Sequence, residues 1–129
     1  MDDFEEELIA DFFVEATQLI DASEQAFLAL ERDKNNSDLI NEIFRLAHTI
    51  KGSSRAVSFG EVAEFTHEVE NLIMQLQKKR LEITSAVITL LLECNDHVRV
   101  MIDTLKVDRD AKFNSTALTA KIKQALVAK

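Results

Sequence analysis

Small and apolar side chains recur along the first thirty residues at Leu8, Phe12, Ala16, Leu19, Ser23, Ala26 and Leu30, in steps of three and four. That is the spacing of one face of an α-helix at 3.6 residues per turn. It predicts a first helix over about Phe4 to Glu31. Acidic residues crowd its first turns, where the helix macrodipole favours negative charge. The polar stretch Arg32-Asp33-Lys34-Asn35-Asn36 ends it. Ser37 then reads as the N-cap of a second helix with the stripe Leu39, Ile43, Leu46, Ile50 and Val57. Ser58-Phe59-Gly60-Glu61 has the form of a capping box, with Ser58 capping and Glu61 reaching back.

A third helix carries Val62, Phe65, Val69, Leu72 and Leu76, and stops at Lys78-Lys79-Arg80, cations that suit a helix C-terminus. A fourth begins near Thr84 or Ser85. Its stripe Val87, Leu91, Cys94, Val98, Met101 and Leu105 alternates by four and three without a break. Residues 106–114 are polar and read as a loop, after which Ser115 caps a short last helix containing Leu118, Ile122 and Leu126. Four amphipathic helices with short connections specify an all-α fold, an antiparallel four-helix bundle, with a fifth C-terminal helix as an appendage. The bundle is expected over about residues 4–106 and the last helix over about 115–128, in one domain covering 1–129.

Composition narrows the class. A chain of 129 residues can bury a core without disulfides or a structural metal. No proline, two glycines and 47% apolar residues argue against a fold built on tight hairpins. The net charge of −8 argues against a nucleic-acid partner, which needs a basic patch, and against an anionic membrane surface. No apolar run approaches the roughly 18 residues of a membrane span. The acidic N-terminus is unlike a signal peptide. A single cysteine, Cys94, falls on an apolar stripe as an inert thiol and fits a reducing cytoplasm, the expected location. Three scattered histidines without a Glu-x-x-His pair make no bundle metal site, so no metal is expected.

Helical geometry then separates structural from chemical side chains. Measured from His48, the second helix's apolar stripe lies at roughly 160–220°, so His48 points away from the core. Its neighbours on that outer face are Asn41, Phe44, Lys51, Gly52 and Arg55. Gly52 costs up to about 1 kcal/mol in a helix interior relative to alanine, which suggests that something requires the space. On the third helix, Ala63, His67 and Met74 lie within about 60° of Glu70, away from the apolar stripe. His48 stands ten residues before the bend at Ser58, and His67 and Glu70 nine and twelve after it. An antiparallel hairpin therefore brings His48, Lys51, His67 and Glu70 to one level. An imidazole is largely neutral and nucleophilic at physiological pH. A carboxylate such as Glu70 can fix its tautomer and steady charge developing on the ring. Lys51 can neutralise an incoming phosphoryl group, and Gly52 leaves it room. No glycine-rich phosphate loop or other kinase element accompanies them, so the group must come from elsewhere. His97 has no acid–base partner at its level and reads as structural or solvated.

The segment Leu46-Ala47-His48-Thr49-Ile50-Lys51-Gly52-Ser53-Ser54 resembles the phosphoacceptor motif of histidine phosphotransfer (HPt) domains, and among these the N-terminal domains of CheA-type chemotaxis kinases. The likeness extends to Asp11-Phe12-Phe13-Val14-Glu15-Ala16, to Ile43-Phe44-Arg45 and to Thr66-His67-Glu68-Val69-Glu70-Asn71-Leu72, and covers essentially the whole chain. Two positions depart from the family pattern: Ser53 replaces a second glycine, and Ser58-Phe59-Gly60 replaces a hairpin that usually ends Gly-Phe. The resemblance implies that His48 is phosphorylated, that Glu70 holds its Nδ1 proton so that Nε2 attacks, and that Lys51 and His67 complete a polar network.

It further implies a phosphocarrier without a complete active site of its own, part of a CheA-type histidine kinase. The donor would be a kinase catalytic domain using Mg-ATP, and the acceptor an aspartate of a CheY- or CheB-like response regulator that supplies its own Mg ion. The domain itself would need no cofactor and would be monomeric. Docking would use the His48 face, with Phe44 as an apolar contact and Arg45, Lys51 and Arg55 facing an acidic receiver. Two other readings fit the same residues: a phosphorelay HPt protein between receiver domains, and a helical adaptor that has lost transfer.

Overall fold

The computed structural model describes residues 2–127. Ala128, the expected last residue of the C-terminal helix, and the ends of the expected 1–129 domain, Met1 and Lys129, lie outside the described residues. Five helices follow in order: α1 (Asp3–Arg32), α2 (Ser37–Ala56), α3 (Gly60–Gln77), α4 (Ser85–Val107) and α5 (Thr116–Val127). Around the bundle α1 packs on α2 and α4, and α3 packs on α2 and α4, so the four make a closed ring. The fifth helix lies on α3 and α4. It is no appendage, because Ile122 is completely buried and belongs to the main core.

The α4 stripe is buried at every expected position, Val87, Leu91, Cys94, Val98, Met101 and Leu105. On α1 and α2 the stripe is displaced by one residue at several points. Leu8 is 46% exposed while Ile9 is buried, and Ile20, Ile40 and Ala47 are buried where Leu19, Leu39 and Leu46 are only partly so. Each pair offers two adjacent apolar side chains, and a wide apolar stripe fits either. Packing against two neighbouring helices makes the choice.

The caps also differ from expectation. Asn36, not Ser37, caps α2, its Oδ1 accepting from the Leu39 backbone N–H at 3.0 Å. Thr84 caps α4 in the same way through Val87. At Ser58 there is no capping box: the N-cap of α3 is Phe59, without a side-chain bond. Ser58 instead takes a left-handed φ of 66°. The Phe59 N–H reaches back to the Ser54 carbonyl at 2.9 Å, closing α2 with the six-to-one bond of a Schellman turn. Glu61, freed from capping, accepts the Phe113 backbone N–H at 3.0 Å and ties the α4–α5 loop to α3. Phe59 packs on Phe12 and Phe13 with ring centroids 5.5 and 5.7 Å away, fixing the hairpin end to α1. Ser115 likewise does not cap α5 with its hydroxyl, which lies 2.8 Å from His97 Nε2.

A left-handed non-glycine residue costs about 1–2 kcal/mol, part of which glycine returns through its looser unfolded chain. Ser58→Gly should therefore raise the unfolding free energy by up to about 1 kcal/mol, read as a higher urea midpoint at unchanged m-value.

Candidate functional site

The hairpin of α2 and α3 presents the site. His48 lies on the outer face of α2 with its side chain 63% exposed, and its Nδ1 lies 2.6 Å from Glu70 Oε2. Lys51, one turn further along α2, donates from Nζ to Glu70 Oε1, also at 2.6 Å. Both carboxylate oxygens are thus engaged by α2. Glu70 itself is only 4% exposed on its side chain and Lys51 14%.

Glu70 was expected on an outer face of α3. It is buried because α2, the closest neighbour of α3, closes over it and engages both of its oxygens. The Ala63–Thr66–Glu70 face that a lone helical wheel leaves outside is covered. Burial pushes the Glu70 carboxyl up; hydrogen bonds from Lys51 and His48 and their charges outweigh it and hold the group below its ordinary value. An ionised Glu70 can only accept, so His48 donates its Nδ1 proton and presents Nε2 outward.

Phe44 is half-buried rather than freely exposed, and its ring stacks on the imidazole at a centroid distance of 6.2 Å and an interplanar angle of 13°. Gly52 faces open space, since a Cβ there would meet nothing within 4 Å. Arg45 and Arg55 are exposed, and neither guanidinium has a carboxylate partner among the described residues. Ser53, where the resemblance leads one to expect a second glycine, donates to Glu15 Oε1 at 2.8 Å and links α2 to α1. This contact was missed because it needs the α1–α2 register.

His67 is brought to the same helix face but not into the network. It is exposed, and among the described residues it makes no hydrogen bond to His48, Lys51 or Glu70. It lies about 60° around α3 from Glu70, beside a depression shared with Glu64, Phe113 and Thr119 on the α5 side. The expected four-residue network is therefore three residues.

The other candidates are structural. His97 packs edge-on against Phe65 at 4.8 Å, and burial lowers its pKa. Burial pushes the Cys94 thiol up to about 12, leaving it without thiolate reactivity. Among the described residues no cluster of His, Cys, Asp or Glu is suited to a metal ion, and no helix is long and apolar enough to cross a membrane.

The chain and its helical bundle have counterparts among known proteins. The Hpt domain model matches residues 7–106, and the chain belongs to that family. The chemotaxis protein CheA of Borreliella burgdorferi is 41% identical over 95% of the chain, which spans only 14% of that protein's length. The histidine phosphotransfer domain of CheA, solved in solution, superposes with a TM-score of 0.83 at 26% identity, covering 92% of this chain and 91% of that one. The phosphorylated P1 domain of CheA3 from R. sphaeroides, crystallised in complex with CheY6, gives 0.81 at 27% identity, covering 92% and 98%.

The lowered pKa of Glu70 makes the site a source of stability with a defined pH dependence. The sign is that of a depressed carboxylate: the contribution is full above the ordinary value of 4.5, falls as the pH drops through it, and is gone below the folded-state value. Glu70→Gln should cost about 1–3 kcal/mol at pH 7, the range for a buried hydrogen-bonding group deprived of its match. The gap between the urea midpoints of variant and wild type should close as the pH is lowered below the ordinary carboxylate range.

Proposed function

We propose that this chain is a phosphocarrier of a CheA-type signalling kinase. Nε2 of His48 attacks the γ-phosphorus of an ATP held by a kinase catalytic domain with Mg, and the bond to the ADP oxygen breaks. The Nδ1 proton stays between His48 and Glu70, whose charge steadies the ring as it becomes cationic. In the second transfer an aspartate of a CheY- or CheB-like receiver attacks the phosphorus, and the N–P electron pair returns to Nε2. The receiver provides its own Mg, and the domain itself uses no cofactor. The observation that carries this reading is the pairing of an exposed imidazole with a buried carboxylate at 2.6 Å on its inner nitrogen. The crystallised relative, phosphorylated and bound to CheY6, supports a response regulator as the partner.

Within this reading Lys51 acts chiefly through Glu70. Its ammonium is held on that carboxylate, keeping it ionised and weakly basic, so the proton remains on the ring. Arg45 and Arg55 meet an acidic receiver, and the Phe44 ring supports both the imidazole and the contact. The domain works as a monomer in the cytoplasm.

Incubation with phosphoramidate, a donor that needs no kinase, should add one phosphoryl group by intact mass, removed by acid and absent from His48→Gln. No adduct from phosphoramidate or from a CheA-type kinase domain with ATP would leave the helical adaptor as the better description. A second test concerns Gly52. Because its Cβ space is empty, Gly52→Ala should stabilise the isolated chain by up to about 1 kcal/mol. It should leave phosphoramidate labelling intact and slow transfer to a receiver domain, measured by loss of label from the chain.

A further inference from the structure

Behind the His48–Glu70 pair, the bundle interior contains a small cavity of about 30 Å³. Its walls include Ala47 and Val69, the residues that precede His48 and Glu70, together with Ser23 of α1, Thr66 of α3 and Asn95 of α4. Three polar side chains from three helices thus converge on a space enclosed otherwise mostly by hydrocarbon. All three are buried.

Their hydrogen bonds do not close among themselves. Ser23 Oγ donates to the Leu19 carbonyl at 2.8 Å, leaving its lone pairs available. Asn95 Nδ2 donates to the Ile20 carbonyl at 3.1 Å, leaving its Oδ1 as an acceptor. Thr66 Oγ1 has no partner, and among the described residues it is the one buried side-chain oxygen or nitrogen in that position. Buried polar groups are almost always satisfied, by protein or by ordered water.

We infer that this cavity binds one ordered water molecule, which accepts from the Thr66 hydroxyl and donates to Ser23 Oγ and Asn95 Oδ1. The balance of donors and acceptors is complete: one orphan donor and two free acceptors meet one water with two protons. Three bonds are typical of a buried water, and the volume exceeds the roughly 10–15 Å³ that one requires. The molecule ties α1, α3 and α4 together at the level where α2 lies against α3, beneath the His48–Glu70 bond. The inference stands independently of phosphotransfer.

A high-resolution crystal structure of the chain, with Thr66→Val and Thr66→Ser beside it, tests the site. Wild type and Thr66→Ser should show a water oxygen within hydrogen-bonding distance of residue 66, and Thr66→Val should not. Thr66→Val should also melt about 2–6 °C lower, because the water loses its donor. A dry cavity in the wild type overturns the inference, as does a water unaffected by Thr66→Val. So does a rise in the melting temperature of Thr66→Val, the result expected when a methyl replaces an unsatisfied hydroxyl. Should Thr66→Val fail to fold, the density in the wild type and in Thr66→Ser decides.

Discussion

A carboxylate placed inside an all-helical bundle must be paired, because an uncompensated buried charge costs several kcal/mol. Glu70 meets this requirement by receiving both of its partners from one neighbouring helix, a turn apart: His48 on one oxygen and Lys51 on the other. The arrangement permits only one register between α2 and α3. A slip of one turn would carry the donors about 5 Å along the axis and leave the charge stranded. The hairpin end is correspondingly firm, with Ser58 in the left-handed region, the Phe59 amide closed onto Ser54 and the Phe59 ring held by Phe12 and Phe13. That α2 ends in a strained turn is thus connected to where an imidazole stands ten residues earlier.

The same pairing determines the proton. Two of the groups around Glu70 are cationic or can become so, and their hydrogen bonds outweigh the effect of burial on its pKa. A carboxylate held ionised cannot take the ring proton, so it orients the imidazole instead of competing for its charge. The Phe44 ring lies nearly parallel to the imidazole, with ring centroids 6.2 Å apart. Lys51 was read from sequence as a charge for an incoming phosphoryl group; its position makes it first a partner of Glu70. Its influence on His48 is then exerted through the acid between them.

How much of this was legible depends on whether a feature belongs to one helix or to a pair. The α4 stripe is buried at each expected position even though apolar neighbours flank it, because α4 buries both members of Val87-Ile88, Leu90-Leu91 and Met101-Ile102. On α1, Leu8-Ile9 and Leu19-Ile20 offered two equivalent choices, and only the directions of α2 and α4 select the second of each pair. The co-levelling of His48, Lys51 and Glu70 was legible because it needs only a bend and an antiparallel return. The burial of Glu70 was not, because it arises from α2 covering α3 on a side that a single wheel shows as open. The exclusion of His67 has the same origin: 60° of rotation separates a residue under α2 from one at the rim. The capping box at Ser58 failed differently. Its letters fit two motifs, and the chain used them to end one helix instead of starting the next.

The outer half of the site follows the opposite logic. Inside, every position is explained by what it touches; Gly52, Arg45 and Arg55 touch little within the chain. A glycine in a helix interior lowers stability relative to alanine, and here no close approach of this chain's own backbone or side chains compensates. Two arginines without carboxylate partners are notable on a surface whose net charge is −8, where acids are plentiful. Such features gain nothing for the isolated fold. They become intelligible if the missing contacts are supplied from outside, by an anionic group on Nε2 and an acidic surface that must approach α2 closely to reach it. The division of the site into a closed inner half and an open outer half is therefore itself the physical argument for transfer, since a purely structural acid–histidine pair would have no reason to leave the space beside it empty.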